Sequence, residues 1–150
     1  MKRPILPVPA ANAAILKNGK ILLTRRSAQI REGGKWCLPG GHVELGEKWV
    51  TAMTREVFEE TGLIVKKSCL LGMYSDPELT VTPTPYYGAF HGQFVVATFM
   101  VTEFEGELNP NHEVDAWGWF GFNEIPTPML RSHTIRVHDA LNFKGVPFVR

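Results

Sequence analysis

Five acids crowd a short stretch of this chain, Glu44, Glu47, Glu56, Glu59 and Glu60, with the basic Arg55 among them. Glu56 and Glu60 are four residues apart, so on a helix they share a flank, and Glu59 stands beside them. Carboxylates this close repel, and each one makes the next harder to ionise. Arg55, four before Glu59, can offset one of them but cannot neutralise the group. A hard divalent cation, Mg²⁺ or Mn²⁺, is the natural supplier of the missing charge, because it prefers carboxylate oxygen. A solvated acidic face is the plainer explanation for three glutamates on an arbitrary helix, so the residues around them must decide.

Those acids need a helix to position them, and the sequence provides one. Glu47 follows a glycine, and Gly62 suits the left-handed position just past a helix end. Between Glu47 and Gly62 run about four turns without Pro or Gly. At about 100° per residue, Val50, Met53, Thr54, Val57, Phe58 and Thr61 fall on one side, which predicts the core-facing seam. Glu56 and Glu60 lie on one flank of that seam.

The spacing carries more than a helix. Gly41, five residues, Glu47, seven residues, then Arg55-Glu56-Val57-Phe58-Glu59-Glu60-Thr61-Gly62-Leu63 resembles the Nudix hydrolase signature at every fixed position. The approach through Trp36-Cys37-Leu38-Pro39-Gly40-Gly41 is similar to that family's lead-in, and a looser likeness covers nearly the whole chain. The resemblance implies an α/β fold, an α/β/α sandwich with a mixed β-sheet between helices. It also implies a Mg²⁺-dependent (or Mn²⁺-dependent) hydrolase acting on a diphosphate. Carried over residue by residue, Glu56, Glu59 and Glu60 are expected to hold the metal, with the main-chain carbonyl of Gly40 completing the shell. The general base is then either Glu56 or a later loop acid; Glu113, six before Trp119, is the match, and Asp115 its rival. Arg55 is expected to orient the carboxylates, and Glu47 to fix the loop or the helix start.

Taken in order, Ala10–Ile15 and Lys20–Thr24 read as strands joined by Asn18-Gly19, a strong hairpin signal. Arg25 and Arg26 close the second strand. Such a pair is commonly solvated, yet a guanidinium fork is the natural partner of phosphate oxygen. By likeness to the family, Arg26 is the expected substrate contact, with Arg25 as substitute. Short strands at Trp36–Leu38 and His42–Glu44 flank the paired glycines. His42 reads as a surface or satisfied core residue, Glu44 as solvated, and Cys37 as a small buried residue. After the helix, Ile64–Tyr74 is expected as a bent strand, and Ser75–Ala89 as a loop that its prolines keep irregular. In that loop Tyr86, Tyr87 and Phe90 could stack on a nucleobase, Tyr87 being the favoured contact; anchoring to the core or to a dimer partner stays open. Gln93–Thr102 is expected as a strand buried on both faces, and another carries Trp117 and Trp119. Leu130–Phe143 closes the chain as a helix, with Leu130, Thr134, Val137 and Leu141 on its inner side.

Composition bounds the rest. A length of 150 residues predicts one domain spanning 1–150. A net charge of +1 provides no field to draw the chain to nucleic acid or to an anionic membrane, so neither is an expected partner. Two cysteines without CxxC spacing suggest reduced thiols and a cytoplasmic protein rather than a zinc site. No apolar run approaches the ~20 residues that span a bilayer. A small-molecule nucleotide is the expected partner, and pairing of two copies stays open. Three activities compete: hydrolysis of a nucleoside diphosphate linked to another group such as ADP-ribose, release of pyrophosphate from normal or oxidised nucleoside triphosphates, and ligand binding without catalysis. Pro77, 15 residues after Gly62, tilts towards the first, because ADP-ribose hydrolases of the family tend to carry a proline near there.

Overall fold

The computed structural model describes residues 6–83 and 91–150, with the side chains of 80–83 and 91–92 left aside. Strand β1 (Val8–Lys17) turns through Asn18-Gly19 into β2 (Lys20–Arg26), and both turn residues have positive φ, 52° and 74°. That is the conformation Asn-Gly favours in a two-residue hairpin. Then follow β3 (Trp36–Cys37), β4 (Gly40–His42), helix α1 (Trp49–Thr61) and β5 (Ile64–Tyr74). The short helix α2 (Pro77–Thr80) leads to β6 (Val81–Pro83), and β7 (His91–Glu105) is the longest strand. The chain continues with β8 (Val114–Phe120), a 3₁₀ turn at Phe122–Glu124, helix α3 (Arg131–Leu141) and β9 (Phe148–Val149).

The strands form a mixed sheet in the order β3-β2-β1-β7-β5-β9, with β8 on β2, β4 on β1 and β6 on β7. β1 lies parallel to β7 from Val8↔Phe94 to Ile15↔Val101, whereas β5 runs antiparallel to β7. Alternation along β1 sorts its side chains to two faces. Ala11, Ala13 and Ile15 join Ala52, Met53 and Val57 of α1; Ala14 joins Val137 and Ala140 of α3. One helix therefore covers each face, which is the expected sandwich. Among the described residues no helix is long and apolar enough to cross a membrane.

Several expectations need correction. The buried face of α1 is Ala52, Met53, Val57, Glu60 and Thr61, while Val50 and Phe58 stay outside at 46% and 54% exposure. The seam is turned so that small Ala52 meets the alanines of β1, and Glu60 enters the buried face instead of flanking it. Pro77 does not block regular structure: it opens α2, where a missing N–H costs nothing, and Asp76 Oδ1 accepts the Glu78 N–H at 3.0 Å. Glu44 lies past the end of β4 rather than on it. On α3, Thr134 is exposed, and His133, Arg136 and Asp139 turn inward. Tyr86, Tyr87 and Phe90 lie outside the described residues.

Candidate functional site

Gly62 ends α1 as its spacing suggests: φ is 78°, and its N–H donates to the Phe58 carbonyl at 2.8 Å. The helix presents its acids in two directions. Glu56 and Glu60 face a cavity of about 520 Å³ that is also lined by Gly40, Gly41, Arg26 and Glu113. Glu59 faces outward and does not line it.

Arg55 sits behind this wall and does more than offset one acid. Its guanidinium donates to both oxygens of Glu47 at 2.9 Å, to Glu56 Oε1 at 2.9 Å, to Glu59 Oε2 at 3.2 Å and to the His42 carbonyl at 3.1 Å. Glu47 in turn accepts the Glu44 N–H at 2.8 Å, so the loop before α1 is tied to the helix through one ion pair. These contacts hold the Glu47 carboxyl below its usual range, the hydrogen bond from Arg55 being the largest influence.

Glu60 is treated differently. Its carboxylate accepts the Gly40 N–H at 3.0 Å and makes no ion pair among the described residues. Burial, reinforced by the charges of Glu56 and Glu113, pushes its pKa up to about 8. Burial also raises Glu56, and Arg55 partly reverses the effect. Glu113 reaches this place because its main chain is pinned: its N–H donates to Asn111 Oδ1 at 3.0 Å, and its carbonyl accepts the Ser27 N–H at 2.9 Å. The rival Asp115 is paired with Arg25 at 2.6 Å, and neither lines the cavity. Arg26 does line it, with its Nε donating to the Arg31 carbonyl at 2.7 Å.

The glycines are needed for close approach. A Cβ on Gly41 would come within 2.5 Å of the Glu56 carboxyl, and one on Gly40 would strike the Ala11 carbonyl. Cys37 is buried behind the same loop, and burial raises its thiol to about 11, which leaves it an inert core residue. His42 is half-buried with its ring 5.7 Å from Phe94, and burial lowers its pKa.

The donor set suits a hard cation: carboxylate oxygens from Glu56, Glu60 and Glu113, one of them buried without an ion-pair partner among the described residues. Among the described residues no three ligating side chains already converge as a finished cage. Mg²⁺ does not need one, since it commonly takes one or two carboxylates and completes its shell with water and substrate phosphate.

Among the lining residues that escaped the sequence reading, two on α3 stand out. His133 and Arg136 reach the cavity from α3. His133 Nδ1 accepts the Leu38 N–H at 3.0 Å, and burial drives its pKa well below 6.5, so the ring is neutral and carries its proton on Nε2. Their only sequence signal is helical spacing: positions 133, 136, 137 and 140 share a face.

Comparison with known proteins completes the description. The NUDIX domain family matches residues 6–141. An ADP-ribose pyrophosphatase of Methanocaldococcus jannaschii is 35% identical over 139 residues, 93% of this chain and 76% of that one. A MutT-like protein of Streptomyces ambofaciens is 31% identical over 147 residues, 98% of this chain and 84% of that one. Among solved structures, a MutT NUDIX hydrolase of Burkholderia pseudomallei superposes with a TM-score of 0.75 at 28% identity, covering 89% of this chain and 98% of that one.

Proposed function

Because the chain belongs to the Nudix hydrolase family, we propose that it cleaves the diphosphate of a nucleoside diphosphate linked to another group, with ADP-ribose favoured. The observation that carries this reading is that Glu56, Glu60 and Glu113 line one cavity, with a main-chain N–H as the hydrogen-bond donor to Glu60 among the described residues. Such a wall repels a phosphate unless a cation joins it. Members of the family generally work with a divalent metal, and Mg²⁺ held by Glu56, Glu60 and the Gly40 carbonyl would spread the diphosphate's charge and make bound water more acidic.

The chain's own residues divide the remaining work. Arg55 holds Glu56 as a carboxylate and fixes its direction. Glu59 supports the cluster from outside, through Arg55. Glu113 is the general base: a base must be free to take a proton, and Glu56 is committed to a guanidinium whereas the Glu113 carboxylate has no such partner among the described residues. Arg26, which lines the same cavity, meets a phosphate oxygen.

Two things support ADP-ribose: the kinship with a protein of that activity, and α2, which Pro77 opens and whose Leu79 lines the cavity. The kinship with MutT-like proteins supports the second reading, a nucleoside triphosphate pyrophosphohydrolase. A panel of ADP-ribose, other nucleotide sugars, dinucleoside polyphosphates and normal or oxidised dNTPs, with products separated by chromatography, decides between them. Turnover of dNTPs far above every linked diphosphate would overturn the ADP-ribose reading and keep the hydrolase.

A further inference from the structure

α3 turns a cation inward at a place where an apolar side chain would serve packing better. Arg136 is 2% exposed, its Nε is buried without a hydrogen-bond partner, and no ion pair reaches it among the described residues. Its guanidinium carbon lies 5.4 Å from the centre of the Tyr74 ring. That contact compensates weakly for taking a full charge out of water. Nearby polar groups are already committed. The Tyr74 hydroxyl donates to Asp139 at 2.9 Å, and Arg150 donates to both Asp139 oxygens at 2.8 Å.

Yet Arg136 lines the same cavity as the acids. Among the described residues no ion pair joins it to Glu56, Glu60 or Glu113, and its ring contact is with Tyr74 at the end of β5. One turn earlier on the same face, His133 lines the cavity with a neutral ring whose Nδ1 is already used by the Leu38 amide. Its Nε2–H is the remaining donor.

We propose that Arg136 binds a phosphate oxygen of the substrate that the acidic wall does not hold, with His133 Nε2–H as a second donor. This rests on reading the cavity as a diphosphate site. The ligand is an anion rather than a neutral sugar, because a buried guanidinium fork needs both charge and paired acceptors.

The test is binding of inorganic pyrophosphate, measured by calorimetry at saturating Mg²⁺ on the wild type, R136K and R136M. R136M is expected to weaken binding by about tenfold or more, and R136K by less, since it keeps the charge and loses the fork. R136M should melt no lower than the wild type, because it removes an uncompensated buried charge. With an active substrate, KM should rise more than kcat falls. Pyrophosphate binding unchanged in both variants, or absent in the wild type, overturns the proposal, as does R136M melting lower with binding intact. Should R136M fail to fold, R136K carries the comparison, and wild-type affinity in it overturns the assignment. Pyrophosphate binding lost with Arg136, in a protein that hydrolyses nothing on the nucleotide panel, would keep this inference and sink the hydrolase reading.

Discussion

Arg55 grips Glu47 with two nitrogens, Nε on one carboxylate oxygen and Nη2 on the other, each at 2.9 Å. The same guanidinium reaches Glu56 from its remaining nitrogen, so the aim of Glu56 depends on a residue nine positions earlier in the chain. Glu47→Gln removes the charge that anchors Arg55 while keeping the side chain's shape. It should lower kcat by on the order of tenfold to a hundredfold, as expected for sub-ångström misplacement of a catalytic group, with a smaller change in KM. Steady-state kinetics beside circular dichroism would check it. Wild-type kcat in a folded Glu47→Gln protein would remove Glu47 from any positioning role.

Glu60 and His133 set opposing pH slopes. Burial pushes the Glu60 carboxyl from 4.5 up to about 8, so between those values the folded protein binds a proton that the unfolded chain has lost. Stability then falls as pH rises, by at most ~1.4 kcal/mol per unit, and the raised Glu56 adds in the same direction. His133 is buried neutral, so below 6.5 the unfolded chain binds the extra proton and stability rises with pH. His42, also lowered by burial, acts with His133 against the carboxyls below 6.5, and the carboxyl effect dominates above it. Urea unfolding in EDTA should therefore show stability dropping from pH 6.5 to 8, and Glu60→Gln should abolish most of the drop. The same variant should lose about a hundredfold or more in turnover with saturating Mg²⁺. A drop that survives Glu60→Gln would assign it to another group.

Millimolar Mg²⁺ should raise the melting temperature, and raise it more at pH 8 than at 6.5, because a cation favours the ionised cluster. Differential scanning calorimetry reads this directly. An absent shift would mean that the metal does not occupy the site without substrate, and an equal shift at both pH values that it binds without coupling to ionisation of the acids.

The neighbouring glycines should fail in different ways. A Cβ on Gly40 would meet the Ala11 carbonyl and lie 2.6 Å from Asn12 Cα, at a φ of 154° that other residues rarely adopt. Gly40→Ala should destabilise the fold by about 3 kcal/mol or more. A Cβ on Gly41 instead meets the end of a side chain, the Glu56 carboxyl at 2.5 Å. Gly41→Ala should therefore fold nearly as well and lose at least about tenfold in kcat. Denaturant midpoints and kinetics on the two variants would separate these effects, and equal stability loss would contradict the distinction.

What could be read in advance was whatever depends on local chemistry. Asn18-Gly19 specifies its turn by the φ values it tolerates, and Gly62 its helix end. The α1 acids stood out because like charges at helical spacing call for an external partner. Periodicity found Met53, Val57, Thr61, Leu130 and Val137 but missed the polar part of each inward face for a common reason: it counts apolar residues, and here Glu60, His133, Arg136 and Asp139 are buried while Phe58 is not. Asp139 is buried because Arg150 and Tyr74 satisfy it, partners 11 and 65 residues away that no local pattern announces. Arg25 and Arg26 are indistinguishable as a pair in sequence; a register shift between them in the β2–β8 pairing leaves Arg26 at the cavity and Arg25 on Asp115.

The polar inner face of α3 also bears on which part of the molecule opens first. Only Val137 and Ala140 of its buried side chains are apolar, so the helix adheres to the sheet largely through the Asp139–Arg150 clamp and the groups lining the cavity. Val137 and Ala140, with the partly buried Ile135 and Leu141, supply its apolar contacts with the sheet, fewer than the central strands make, and local opening of such an element costs less than global unfolding. Its amide protons should exchange with solvent sooner than those of β1 and β7 at the centre of the sheet. A ligand spanning from α1 to Arg136 would slow that exchange most on α3, making the helix a reporter of occupancy even when no chemistry follows.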